Sequence, residues 1–164
     1  MKLSDLKPNV YPTDLLEDCT SGLCLFGAGF YGANDAIHMH NANISHVTVV
    51  DTDTEKLAVM SSMYGPGWIL ILDDVTTWVP NIANSGVLSW DIVSVDAPAN
   101  MFDWCWNNID LLCALANKYV VLTTYDSMVD RWVNTDEWRF VAIYSRSSKE
   151  LISLMVLERI SCLN

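Results

Sequence analysis

The last two apolar runs of this chain, residues 140–145 and 151–157, are separated only by the polar segment Arg146-Ser147-Ser148-Lys149-Glu150. Two parallel neighbours need a crossover of roughly a dozen residues or more, so a five-residue link makes the pair an antiparallel hairpin. The five apolar runs before it behave differently. Residues 23–26, 46–50, 68–72, 91–95 and 119–123 are short and almost continuously hydrophobic. Strands of a parallel sheet read this way when both faces are covered. Segments of helical character follow each of them: 32–41, 54–63, 75–84, 102–117 and 126–134. Pro80 is expected to kink or shorten the third. The alternation predicts an α/β fold: an open, mostly parallel seven-stranded sheet with helices on both faces and an antiparallel C-terminal hairpin strand.

At 164 residues the chain is expected to form a single domain over 1–164. Residues 1–20 are polar and hold Pro8 and Pro12; they read as an N-terminal extension or a short helical lid, with helix expected over 13–19. No apolar run approaches the roughly 20 residues of a bilayer span, and the first residues lack the apolar stretch of a secretory signal. The expected location is cytoplasmic, with no membrane partner. The five cysteines form no C-x-x-C pair and three of them sit within apolar or helical patterns, which reads as core packing. No metal constellation stands out, since His38 and His40 are two apart and face different sides of a helix.

Net charge is −11. Residues 131–164 hold five basic and four acidic side chains, so the acidity resides in residues 1–130. Without a basic stripe to displace counterions from phosphates, direct nucleic-acid binding is not expected. A small molecule or a protein side chain is the expected substrate, and a homo-oligomer or larger assembly stays open.

Between the first strand and first helix stands Gly27-Ala28-Gly29-Phe30-Tyr31-Gly32, a G-x-G-x-x-G. Glycines there allow a tight turn and close approach of a ligand to helix N–H groups. Twenty or so residues on, the second strand ends in Asp51, placed to accept hydrogen bonds from a ribose or to cap the helix beyond. Thr52 or Asp53 can take the capping role, which leaves Asp51, and Thr52 beside it, to the ligand. Asp73 and Asp74 follow the third strand, where either can receive an adenine amine or cap the next helix. The fourth strand runs into Asp96-Ala97-Pro98-Ala99-Asn100, and Asp96 is a candidate general base or substrate-orienting group, with helix or loop capping as its plainer role. Tyr125 and Asp126 are expected on the same rim, with Phe30, Tyr31 and Trp104 nearby.

Taken in order, residues 23–32, 47–51, 72–75 and 91–98 with the closing hairpin resemble the class I S-adenosylmethionine-dependent methyltransferases. The resemblance implies a last strand inserted antiparallel between the fifth and sixth, and S-adenosylmethionine as cofactor. It puts the Gly27-Ala28-Gly29 turn at the methionine moiety, Asp51 at the ribose and Asp74 at the adenine amine. Amino-methylating members often carry Asn/Asp/Ser-Pro-Pro-aromatic at the fourth strand. Here Ala97 takes the first proline position and Asn100 lies beyond Pro98, which departs from that pattern. The implied activity is methyl transfer to a small molecule or protein side chain. The alternatives are a non-catalytic adenosyl-binding or structural module of the same fold, and an NAD-dependent oxidoreductase, which the hairpin opposes.

Overall fold

The computed structural model describes residues 11–27, 34–64, 67–147 and 149–160. Seven strands form one sheet: β1 (Ser21–Leu25), β2 (His46–Asp51), β3 (Trp68–Leu72), β4 (Trp90–Val95), β5 (Ala116–Tyr125), β6 (Trp138–Ser147) and β7 (Ile152–Arg159). Their spatial order is β3-β2-β1-β4-β5-β7-β6. The first five run parallel, while β7 is antiparallel to both β5 and β6. The hairpin expected from the five-residue link is therefore present, and so is the inserted last strand that the family resemblance implied. Among the described residues, five α-helices accompany the sheet: α1 (Asn34–Asn41), α2 (Thr54–Tyr64), α3 (Val75–Ser85), α4 (Phe102–Asn107) and α5 (Ile109–Ala114).

Strand residues alternate between two cores, because successive side chains point to opposite faces. Leu23, Leu25, Val93, Val95, Val120 and Leu122 pack with α3, α4 and α5. Cys24, Val47, Val49, Ile92 and Val121 pack with α1, α2 and the N-terminal segment. That segment contains a 3-10 helix, Thr13–Asp18, and buries Leu16 and Tyr11 in the second core. In its described part the N-terminal extension is thus a component of the core. Cys19, Cys24, Cys105 and Cys113 are buried as well, and burial pushes the thiols of Cys19, Cys105 and Cys113 up to about 12. They serve as small apolar side chains.

Several elements differ from expectation. The single helix expected over 102–117 divides at Asn108, whose side-chain amide donates to the Trp104 carbonyl at 2.8 Å. Such a local bond competes with helix continuation. Ala116 pairs with Trp90, so the sheet takes residues 116–117 from the helix. The helix expected over 126–134 is a 3-10 turn, Asp126–Arg131. It is held to the hairpin by the Asp126 amide, which donates to the Leu151 carbonyl at 2.8 Å, and by the Ser153 hydroxyl, which donates to the Asp126 carboxylate. α3 runs on through Pro80 to Ser85 and closes on Gly86 in the left-handed conformation, φ +66°. β3 is an edge strand, with Ile69 and Leu72 exposed, instead of being covered on both faces.

Gly27 begins the turn after β1, and the reason for its glycine is packing. A Cβ there would lie 2.6 Å from Cys24 Cβ, 2.8 Å from the Cys24 carbonyl oxygen and 2.9 Å from Val49 Cγ1. One of these neighbours is backbone and none is a flexible chain end, so little can yield. Gly27→Ala is expected to lower unfolding free energy by about 1–3 kcal/mol, measurable by urea denaturation. An unchanged midpoint would mean that the turn relaxes at no cost.

Candidate functional site

On an open parallel sheet, ligands bind at the carboxyl ends of the strands, where the strand order reverses. Here that point lies between β1 and β4. A cavity of about 660 Å³ opens nearby, its floor and walls built by the segments that follow β1, β2, β3 and β4. Asp51, Thr52, Asp74 and Asp96 all line it. Asp73 and Gly27 lie beside these residues in the chain but outside the described lining, and Ala28 and Gly29 fall outside the described residues.

The carboxylates of Asp51 and Asp74 are held by their own loops. Asp51 Oδ1 accepts from the Asp53 amide at 3.0 Å, and Asp53 Oδ1 in turn accepts from the Lys56 amide at 3.0 Å. Asp53 therefore caps α2, as its position suggested, and Asp51 faces the cavity, half-buried. Asp74 caps α3 by accepting from the Thr76 amide (2.9 Å) and the Thr76 hydroxyl (2.7 Å). Those bonds, the hydroxyl's first, hold its carboxyl below the ordinary value. Asp73 accepts from the Asp74 amide at 2.7 Å. Capping and cavity lining are thus both true of Asp74, because its loop sits where the strand meets the helix. The Asp96 amide donates to the Leu25 carbonyl at 3.1 Å, which fixes the end of β4 against β1.

Apolar groups complete the cavity: Phe26, Val75, Ala97 and Met101. Phe26 adopts the left-handed conformation, φ +54°, and meets Trp104 edge-on at 6.5 Å. Tyr125 lies at the end of β5 against Phe102, with ring centroids 4.8 Å apart. Sequence reasoning missed Lys56, Phe26 and Met101. Lys56 stands in the first turn of α2, five residues beyond Asp51, and pairs with Asp53 at 3.6 Å. Its position in the first turn of α2 was the available signal.

Behind Asp96 lies a buried polar chain. Tyr11 donates to Ser94 Oγ (3.0 Å), Ser94 to Asp35 Oδ2 (2.7 Å), and Arg146 to both Asp35 Oδ1 (2.9 Å) and Thr123 Oγ1 (3.1 Å). Arg146 Nη2 is also 3.5 Å from Asp96 Oδ1. His38 stacks on Tyr11 with ring centroids 4.9 Å apart. Burial holds its imidazole below the ordinary value; Asp35 pulls it upward, and Arg146 pushes it down again. The folded chain thus resists a proton that the unfolded chain accepts near the ordinary value of about 6.5. Stability is complete above that value and declines as pH falls through it. Unfolding midpoints measured between about pH 7 and 5 should show this decline, and His38→Gln should flatten it. An equal slope in the variant would assign the decline to other groups.

A second cavity, of about 400 Å³, opens among α5, the start of β6 and the end of β7. Its cation, Arg159, lies 4.7 Å over the Trp138 ring, donates to the carbonyls of Cys113 and Ala116, and pairs with Glu137 at 3.3 Å. These bonds tie the layers together at the amino end of β5, away from the edge where such sheets bind ligands.

No protein-family model matches the sequence, and comparison with curated proteins returns no match. Solved structures do share the fold. TrmN from Thermus thermophilus aligns with a TM-score of 0.63 and 17% identity over 90% of this chain and 47% of that one. This chain therefore spans about half the length of TrmN. An O-methyltransferase from Bacillus cereus, solved in complex with SAH, aligns with a TM-score of 0.64 and 11% identity, covering 96% and 86% of the two chains. An rRNA methylase from Streptococcus thermophilus gives 0.62 and 14%, covering 91% and 94%. The fold is that of the class I S-adenosylmethionine-dependent methyltransferases. No helix among the described residues is long and apolar enough to cross a membrane.

Proposed function

We propose that this chain is an S-adenosylmethionine-dependent methyltransferase and that the 660 Å³ cavity is its cofactor site. The observation that supports this most is the convergence of Asp51, Asp74 and Asp96 on one cavity beside the strand-order reversal. The donor set suits the cofactor. Ionised carboxylates accept from ribose hydroxyls and an adenine amine, while Val75, Ala97, Met101 and Phe26 offer apolar surface to a flat ring. Asp51 is assigned to the ribose and Asp74 to the adenine amine. Thr52 and Asp73 flank them, and the Gly27-Ala28-Gly29 turn is assigned to the methionine moiety.

When bound, the cofactor supplies a methyl group on a cationic sulfur, already reactive toward a nucleophile. The protein's tasks are to orient the donor, admit the substrate beside Asp96 and exclude water. The acidic composition and the missing basic stripe favour a small molecule or a protein side chain as the substrate. We assign all of this to one domain spanning 1–164, acting in the cytoplasm.

Calorimetric titration with S-adenosylmethionine, S-adenosylhomocysteine and NAD tests the cofactor. Binding of the two adenosyl ligands without NAD is the expected result, and NAD binding alone would replace the reading with an oxidoreductase. Adenosyl binding without turnover across a broad substrate panel would favour a non-catalytic module of the same fold.

A further inference from the structure

Arg146 is the residue that β6 leaves out of its ladder: Ser145 pairs with Ser153, and Ser147 with Ile152. An unpaired extra residue makes a bulge, a device that re-aims a side chain and recurs beside functional sites. On an edge strand an arginine ordinarily reaches into water. Arg146 instead buries its side chain to 11% exposure and links three elements, Thr123 on β5, Asp35 at the start of α1, and Asp96 after β4.

Two carboxylates therefore share one guanidinium. They are not equivalent. Asp35 is 1% exposed and accepts from Ser94 and Arg146, whereas Asp96 is 17% exposed and lines the cavity. Of the two, Asp96 is the carboxylate that faces the cavity.

We propose that Arg146 is the positioning residue of this site: with Asp35 as its anchor, it holds Asp96 as an oriented, ionised hydrogen-bond acceptor facing the substrate. A carboxylate beside a guanidinium is a weak base but a strong partner for a donor. Asp96 then selects a substrate that presents an N–H, an O–H or a positive charge to it, and does not itself remove the proton. This rests on the cavity being the methyl-transfer site. Other titratable groups near Asp96 are Cys24 on β1, with Tyr11 and His38 acting through Asp35 and Arg146. Asp51, Lys56 and Asp74 stand around the cavity.

The test is a pH titration of the Asp96 carboxyl carbon by NMR in aspartate-labelled protein, with the resonance assigned by its loss in Asp96→Asn. Arg146→Met should raise the Asp96 midpoint by about one pH unit or more, a tenfold gain in proton affinity. Arg146→Lys should restore most of that difference. Asp35→Asn should move the midpoint the other way, because a negative charge sharing the guanidinium is removed. If Arg146 merely fastens β6 to α1, its removal lowers stability and leaves the Asp96 titration where it was. An unmoved midpoint in Arg146→Met overturns the proposal. Should that variant not fold, an unmoved midpoint in Asp35→Asn does the same. Adenosylhomocysteine titration of the unaltered protein is read separately. Its failure refutes the cofactor assignment, whereas the Asp96 titration alone decides the role of Arg146.

Discussion

Asp51→Ala is expected to weaken S-adenosylhomocysteine binding about 100-fold while leaving the chain folded. The magnitude follows from the ribose contact proposed for the carboxylate. Hydrogen bonds to an ionised group contribute about 1.5–3 kcal/mol each, and each 1.4 kcal/mol is a factor of ten in affinity. Two ribose hydroxyls on one carboxylate reach that figure even when the second bond adds little. The folded state loses the contact from the Asp53 amide to Asp51 Oδ1, a single bond within its own loop. The cap of α2 belongs to Asp53 and is untouched. Circular dichroism should therefore match the unaltered protein while calorimetry shows the lost affinity. Asp51→Asn keeps one acceptor oxygen and should fall between the two. Unchanged affinity in Asp51→Ala would remove Asp51 from the site.

The second large effect is on stability. Phe102 opens α4, is 1% exposed, and packs edge-on against Tyr125 within the core formed with α3, α4 and α5. Phe102→Ala should cost about 3–5 kcal/mol of unfolding free energy, the sum of lost transfer energy and the cavity left behind. Phe102→Leu should cost less than half of that, since most of the volume remains. Chemical denaturation gives both values. Phe102 also closes the loop of residues 97–101, whose Ala97, Pro98, Asn100 and Met101 line the 660 Å³ cavity. The alanine variant should therefore weaken S-adenosylhomocysteine binding as well. A cost under about 1 kcal/mol would mean that α4 is not packed as described.

Much of the architecture was legible from local pattern. Apolar runs of strand length marked the strands to within a few residues, because burial on both faces of a parallel sheet leaves little room for polar residues. The five residues between the last two runs settled their direction. Errors arose where tertiary pairing competed with local preference. Ala116 and Asn117 read as the end of a helix, yet the sheet claims them through Trp90. The edge position of β3 was hidden for a similar reason: Trp68-Ile69-Leu70-Ile71-Leu72 is as apolar as a central strand, and nothing local reports which strand ends the sheet.

The candidate site divides along the same line. Asp51, Asp74 and Asp96 were visible because each stands at or just past a strand end, and strand ends on one side of a parallel sheet share one edge. Sequence by itself determined that these carboxylates follow β2, β3 and β4, and that a hairpin closes the chain. Only the tertiary structure decided what stands behind them. Arg146 and Asp35 are 111 residues apart in sequence, and no periodicity relates them. Their ion pair exists because β7 enters between β5 and β6, a bulge turns Arg146 inward, and α1 lies over the same face. Spacing along a chain encodes which face a side chain takes, but sheet order and bulges decide which distant charge it meets.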